Sequence, residues 1–547
     1  MKNLVRIACL MLVFVMVCVV FVGCNQTEET DNLVIYNWAD YIYDYEEDFK
    51  AYYRQMTGKN VEITYVTFDT NETMLTKITK GDSNVDVICP SEYAIQQLME
   101  KDLLVPLNYA NEAEFTKGIN FVDGANYQHN YSKLDANVIN KINDAFGAVT
   151  NKITGKTEAM LDYMVPYMYG TLGILYNRYA FIDAGIISVN EDGSYDATAM
   201  NQANWGVLFN DNGKGELLSD SLTNSILMKD SIRDSYAATV FYLLESGVLD
   251  ELVVENTSSE YYGKPYSEIP AGVLINMVDD NLIEACKVAL SQQKQQLFGY
   301  EVDFGKDDLL MGNAIVDLAW SGDALYAFEE SWNDDLNDGE GDYELAYYVP
   351  HTTGNIWFDG WVVPKGYNPK NLDAIKLFIN FMNNPYSSAA NMYAIGYTSA
   401  VDPNAIMADQ DALGYLAEGY AVYGYATDDD GNLLPVDKCD FANIEEFNDY
   451  FFYMVDPVDN SNWRYPFMFA DEENQNFPRN INTLGVMRDF GDKNKDVVVM
   501  WNYVRSAAVS SWQLLLWTVV VVGVTIGVIA LIRVIILKRR KNVIINK

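Results

Sequence analysis

Apolar and polar positions follow two rhythms between residues 33 and 101. Leu33–Tyr36 is a continuous apolar run and predicts a buried strand ending at Asn37-Trp38. Phe49, Tyr52, Tyr53 and Met56 recur at helical spacing over Tyr45–Met56, and Gly58 supplies a stop. Val61–Phe68 alternates and predicts a second strand, while Asn71–Lys80 suits a helix ended by Gly81. Val85–Cys89 reads as a third strand broken by Pro90, and Ser91 stands where it could N-cap a helix over Glu92–Lys101. Such strand–helix alternation predicts a parallel α/β sheet, whose ligands bind at the carboxyl ends of the strands. Trp38, Ser91 and Tyr93 fall near two such ends.

Further on the rhythm is less regular. Ala110–Ala159 is polar and weakly periodic and predicts loops with short helices. Tyr163–Asn177, Ile315–Trp320 and Ile356–Val363 are strand-like, Ser231–Leu244 is helical, and Leu372–Met382 is an amphipathic helix. Residues 402–483 are aromatic and acidic. Asp428-Asp429-Asp430-Gly431 within them reads as a solvated turn, because a calcium loop needs a spaced ligand set and a closing Glu.

The two ends are apolar in a different way. Lys2 and Arg6 precede the unbroken apolar run Ile7–Val22, followed by Gly23, Cys24 and a polar stretch. Residues 1–24 therefore read as an export signal. Phe21-Val22-Gly23-Cys24 resembles a bacterial lipobox, with Phe21 where leucine is usual, which makes Cys24 the expected lipidation site and residues 25–32 a tether. Ser506–Ile532 carries no charged residue, and after Arg533 the apolar run resumes to Leu537. This is long enough for a transmembrane helix over residues 506–537, since roughly 20 residues cross the hydrocarbon core. Lys538-Arg539-Arg540-Lys541 then marks residues 538–547 as a cytoplasmic basic tail. The body is thereby expected outside the cell, held at the cell membrane, and a single span makes no permease.

Charge adds to this picture. The 547 residues carry 37 basic and 77 acidic side chains, a net of −40. Eight of the basic residues lie in the two terminal segments, so residues 25–512 hold the other 29 against all 77 acids, a net of −48. That surface repels nucleic acid and concentrates cations, although a solvated extracellular surface would look the same. Cys89, Cys286 and Cys439 are odd in number and widely spaced, so no disulfide framework follows. With only His129 and His351, a histidine metal site or a His–carboxylate relay has little material. No metal, cofactor or catalytic residue is expected.

The candidate chemistry lies in tryptophans close to aspartates. Trp357-Phe358-Asp359-Gly360, Trp320-Ser321-Gly322-Asp323 and Asn37-Trp38-Ala39-Asp40-Tyr41 each bring a π face and a carboxylate into one small volume. An organic ammonium is attracted by the ring and paired by the acid, and three such sites suit an extended polyamine. In a chain with 10 Trp and 39 Tyr, any single pair is as readily coincidence as site.

In their order along the chain these motifs resemble the polyamine-binding proteins of bacterial ABC importers, the spermidine/putrescine-binding type. The resemblance runs from about Leu33 to Thr398 and rests also on Asp69-Thr70-Asn71-Glu72-Thr73-Met74, Pro90-Ser91-Glu92-Tyr93 and Val165-Pro166-Tyr167-Met168-Tyr169-Gly170. Asp230-Ser231-Ile232-Arg233-Asp234 and Ile395-Gly396-Tyr397 complete it. It implies a two-lobed periplasmic-binding-protein fold of α/β class, type II-like, with the ligand in a cleft between the lobes. Lobe 1 would comprise 33–165 and 358–401, and lobe 2 would comprise 166–357 and 484–505, with 402–483 as an insertion. The resemblance also implies roles: Trp38, Tyr41, Tyr93, Trp320, Trp357 and Tyr397 as an aromatic box, Ser91 as a hydrogen-bonding group, and Asp359 as the main ion pair. Asp234 and Asp323 would serve other amines, with Asp40 a weaker contact. Departures are Ser231 where the spermidine branch has an acid, Ala39 where the putrescine branch has a serine, and no matching glutamine near Met487. The implied partners are a polyamine, an ABC permease with its ATPase subunits, and the membrane, with no nucleic acid. Two other readings stay open: a solute-binding protein for another cation or small zwitterion, and a secreted carbohydrate-active enzyme using paired acids.

Overall fold

In the computed structural model, residues 30–81, 84–187, 204–213, 215–333, 342–350, 353–412, 414 and 484–506 are described. The first apolar run pairs beyond its predicted ends, and strand β1 covers Thr30–Trp38. Helix α1 (Glu46–Thr57) ends on Gly58 at φ 71°, a left-handed position that costs glycine no Cβ strain. Strand β2 (Asn60–Phe68), helix α2 (Asn71–Lys80), strand β3 (Val87–Ile88) and helix α3 (Glu92–Glu100) follow. The strands pair in the order β2-β1-β3, all parallel, as the alternation predicts. Between Ala110 and Ala159 one helix, α4 (Ala136–Phe146), is longer than expected. It buries only Val138, Ile142 and Phe146, a stripe too sparse to stand out as a periodic signal.

A second sheet is built on strand β4 (Val165–Asn177), which is buried along nearly its whole length. Strand β5 (Ile226–Lys229) leads into helix α5 (Ile232–Glu245). Helix α6 (Asp280–Gln293), strands β6 (Leu297–Glu301) and β7 (Val316–Trp320), and helix α7 (Ser321–Glu330) come next. Strands β8 (Leu345–Tyr348) and β9 (Asn355–Trp361) precede helices α8 (Leu372–Met382) and α9 (Pro385–Ile395). Strands β10 (Thr398–Ser399) and β11 (Gly485–Val486) and helix α10 (Asn494–Ser506) close the described chain. The order is β11-β9-β4-β7-β5-β6, with β8 and β10 also on β4. The sheet is mixed, because β4 runs antiparallel to β7, β8, β9 and β10.

The two sheets meet through β9. Its pairing with β4 shifts register between Asp359 and Gly360. Beyond that bulge the chain turns to the first sheet, where Val362 N–H donates to Ile88 O at 2.9 Å and Ile88 N–H donates back at 3.0 Å. A bulge re-aims the side chain beside it, and here that side chain is Asp359. Around β1, α1 and α8 the core is aromatic: Phe49 and Phe378 lie 5.4 Å apart edge-on, and Trp361 meets Phe378 at 5.1 Å.

The export signal, Cys24, most of the tether, most of residues 402–483, the expected transmembrane helix after Ser506 and the basic tail lie outside the described residues. Among the described residues no helix is long and apolar enough to cross a membrane.

Candidate functional site

A cleft opens where the carboxyl ends of β1 and β7 face each other. Its aromatic wall comes from both sheets. Trp38 ends β1 and Trp320 ends β7, and their rings meet edge-on at 6.5 Å. Tyr397 stands between Tyr41 at 5.2 Å and Trp357 at 5.4 Å, both edge-on. Two glycines make this packing possible. A Cβ on Gly170 would lie 2.5 Å from Trp357, and one on Gly322 would overlap the ring of Tyr397. The glycine of Trp320-Ser321-Gly322-Asp323 therefore seats a distant ring.

Inside the wall the acids are poorly solvated. Asp359 is 5% exposed and its Oδ1 accepts no hydrogen bond. Burial pushes its carboxyl up to about 7, while donors of Ser91, Tyr41 and Trp38 oppose the shift and nearby Asp234 adds to it. A buried carboxylate without a counter-ion is costly. Glu92 is fully buried: one oxygen accepts from Phe358 N–H at 2.9 Å, the other has no partner, and burial raises the group to about 8. Asp234, on the first turn of α5, is also raised by burial, against the pull of Ser231, Trp320 and Lys229. Glu72 is raised by burial as well, and accepts from the Tyr93 hydroxyl at 3.3 Å.

Ser91 occupies the N-cap position of α3, yet its side chain caps nothing. Its hydroxyl instead accepts from Asn71 Nδ2 at 3.0 Å, and Ser91 bridges Asp359 through the backbone. The expected capping role gives way to a place in the site.

The Trp320 end differs from the Asp359 end. Lys229 Nζ lies 4.3 Å from the Trp320 ring centroid and 2.5 Å from Glu301 Oε1, with both side chains almost wholly buried. Burial disfavours that ammonium, but Glu301, Asp317 and Asp323 outweigh it and raise the lysine's pKa. Asp323 is itself paired, to Lys306 at 2.9 Å. Asp303 nearby is pushed up to about 6, mainly by burial and then by Asp323.

The structure brings Trp38, Tyr41, Ser91, Tyr93 and Asp234 to the cleft lining, together with Trp320, Asp323, Trp357, Asp359 and Tyr397. Asp40 is not among the lining residues; it is exposed, at φ 47° in the turn after β1. Its neighbours Ala39 and Tyr41 line the cleft while Asp40 itself is exposed, so adjacency in sequence to Trp38 and Tyr41 misleads. The sequence reading missed Glu72, Glu92, Lys229, Glu301 and Asp303 as lining groups. Glu72 and Glu92 sit inside motifs already singled out, one residue from Asn71 and Ser91. Lys229 had a signal too, a lysine closing the apolar run Ile226–Met228. Met487, where the glutamine is missing, also lines the cleft. His129 contacts Tyr109 O at 2.8 Å and Tyr127 OH at 3.0 Å, a structural post away from the cleft. Cys89 and Cys286 are buried and unpaired. Among the described residues no group of three or more His, Cys, Asp or Glu side chains is arranged to hold a metal ion.

Two sheets joined through a bulged strand, with an aromatic and acidic cleft between them, define the class: a two-lobed fold of mixed α/β content. The chain is similar to the putrescine-binding periplasmic protein PotF of Escherichia coli, 21% identical over 65% of this chain and 74% of that one. It is also 21% identical to the putrescine-binding periplasmic protein SpuD of Pseudomonas aeruginosa, over 66% of this chain and 76% of the relative. Residues 1–182 match a family model described as a hypothetical lipoprotein of the MG045 family. Among solved structures, a Listeria monocytogenes chain assigned to a spermidine/putrescine ABC transporter superposes with a TM-score of 0.51 at 22% identity. That match covers 87% of this chain and all of the other, and it speaks to the fold.

Proposed function

We propose that this chain is the extracytoplasmic receptor of a bacterial polyamine ABC importer, binding a putrescine- or spermidine-like cation and delivering it to a permease. It performs no chemistry of its own. The observation that carries the reading is Asp359: a buried carboxyl with an unpartnered oxygen, beside Trp357, Tyr41 and Tyr397. An ammonium there would gain both the ion pair and the ring faces, and would relieve the cost of burying the acid. Neutral or anionic solutes would leave the acid unpaired and be excluded. A zwitterion would need a free cation facing the cleft, and Lys229, the basic residue among those lining it, is already bound to Glu301.

The finer parts of the reading belong to the same proposal. The lobes would hinge near residues 165–166 and 357–358. Trp38, Tyr41, Tyr93, Trp320, Trp357 and Tyr397 would enclose the methylene chain. A lipid on Cys24 and a span over 506–537 would hold the body at the outer face of the cell membrane. Similarity to two proteins named as putrescine-binding supports the ligand class.

Calorimetric titration of the full chain with putrescine, spermidine and spermine tests the reading. The expected result is saturable binding of at least one of them, weakened by about 30-fold or more in Asp359→Ala, as removal of one half of a buried ion pair costs about 2 kcal/mol or more. Absence of heat and of thermal stabilisation with all three amines would overturn it.

A further inference from the structure

At the Trp320 end of the cleft the protein already holds an ammonium. Lys229 Nζ is 4.3 Å from the ring centroid, at cation–π distance, and its partner Glu301 is 2.5 Å away. This is the arrangement that a ligand amine would seek: a ring face and a carboxylate. Both are taken. The next acid, Asp323, is matched by Lys306. The buried Arg233 is a cationic neighbour of Glu72, Glu92 and Asp234, and Asp234 also feels Lys229 and takes the Trp320 indole at 3.5 Å, while Asp359 keeps an oxygen with no partner. The cleft thus has an acid with an open oxygen at the Asp359 end and an internal ammonium on the ring at the Trp320 end.

Resting on the receptor reading above, we propose that Lys229 is a specificity-determining residue. Its ammonium stands in for a ligand amine on Trp320, so the cleft takes a diamine held by Asp359 and Asp234. A triamine is rejected because its third ammonium would fall against Lys229. The rejection is electrostatic: two ammonium groups a few ångströms apart repel more strongly inside a low-dielectric cleft than in water. Size has a part only if a neutral chain of equal length is rejected too.

That contrast supplies a test on the unmodified full chain. Affinities for putrescine, spermidine and N-butylputrescine are measured by calorimetry at pH 8. N-butylputrescine has the length of spermidine with a methyl in place of the third ammonium. The expected order places putrescine and N-butylputrescine each at least about tenfold tighter than spermidine, a gap of about 1.4 kcal/mol. Spermidine binding as tightly as putrescine overturns the proposal, and so does rejection of N-butylputrescine to the same degree as spermidine.

A double variant, Lys229→Met with Glu301→Gln, then removes the internal pair without leaving a buried carboxylate uncompensated. It should shift the spermidine-to-putrescine affinity ratio toward spermidine by about tenfold or more, while Lys229→Arg, which keeps the charge, should leave the ratio near that of the unmodified chain. An unchanged ratio in a double variant that still binds putrescine overturns the role of Lys229 and leaves the receptor reading intact. If the unmodified chain binds none of the three amines, the receptor reading itself fails and this inference with it.

Discussion

Asp359 carries two opposed demands in one side chain. With its carboxyl at about 7, mainly through burial, it is partly protonated near neutral pH. Its titrating or charged neighbours are Glu92, Asp234, Cys89, Tyr41 and Tyr397. A bound ammonium favours the carboxylate and lowers its pKa, so binding near pH 7 releases protons. Affinity for a diamine should therefore rise from pH 5.5 to about 8 and then level off, and calorimetry in buffers of different ionisation heat should detect the released fraction. The empty protein behaves in the reverse sense. A carboxyl whose folded pKa lies above its unfolded one stabilises the fold below that unfolded value, and the contribution is lost as pH rises through about 7. Asp359→Asn should thus stabilise the ligand-free protein at pH 8 by roughly 1–3 kcal/mol while removing most of the binding. A destabilised Asn variant in urea titration would contradict the account of an uncompensated buried charge.

At the scale of elements, two helix starts near the cleft look alike in sequence and act differently. Thr70 precedes α2 and its side chain accepts from Thr73 N–H, a working N-cap. Ser91 precedes α3, caps nothing, and turns to Asn71 and Asp359. Thr70→Ala should therefore cost about 1 kcal/mol in urea unfolding, whereas Ser91→Ala should cost little stability and weaken diamine binding instead. Equal losses of stability would refute the distinction. This pair also shows what was legible in the chain. The helices over Asn71–Lys80 and Leu372–Met382 have the bounds that their apolar spacing predicts, because local periodicity alone decides them. The mixed second sheet was not legible, because the direction of β4 relative to β7 and β9 is set by contacts far apart in sequence. The aromatic and acidic residues of the cleft stood in short motifs. Lys229 and Glu301 acquire their meaning only when β5 and β6 pair side by side, bringing residues more than 70 apart into an ion pair. Asp40 shows the converse, a residue between two lining residues that is itself exposed and outside the lining.

For the whole molecule, the placement of charge decides how a receptor of this kind would move. Asp359 reaches the cleft from β9, Glu92 from α3, Glu72 from α2 and Asp234 from α5. Asp359 raises Glu92, and Asp234 raises both Asp359 and Glu72, so these acids repel across the cleft. Without a cation that repulsion works against closure, and a dication bridging Asp359 and Asp234 reverses its sign. The net charge of −40 acts at longer range by gathering cations at the mouth of the cleft. Association with a diamine should therefore slow as ionic strength rises from about 20 to 300 mM, over which the Debye length falls from roughly 20 Å to below 10 Å, with dissociation changing far less. Small-angle scattering gives the complementary reading. The radius of gyration of the full chain should fall when putrescine saturates it at pH 8. In Asp359→Asn, where one side of the repulsion is gone, the ligand-free radius should already be smaller and should respond less to ligand. A radius that ignores putrescine in the unmodified chain would separate binding from lobe movement, leaving the cleft a rigid trap whose occupancy the permease must sense from its rim.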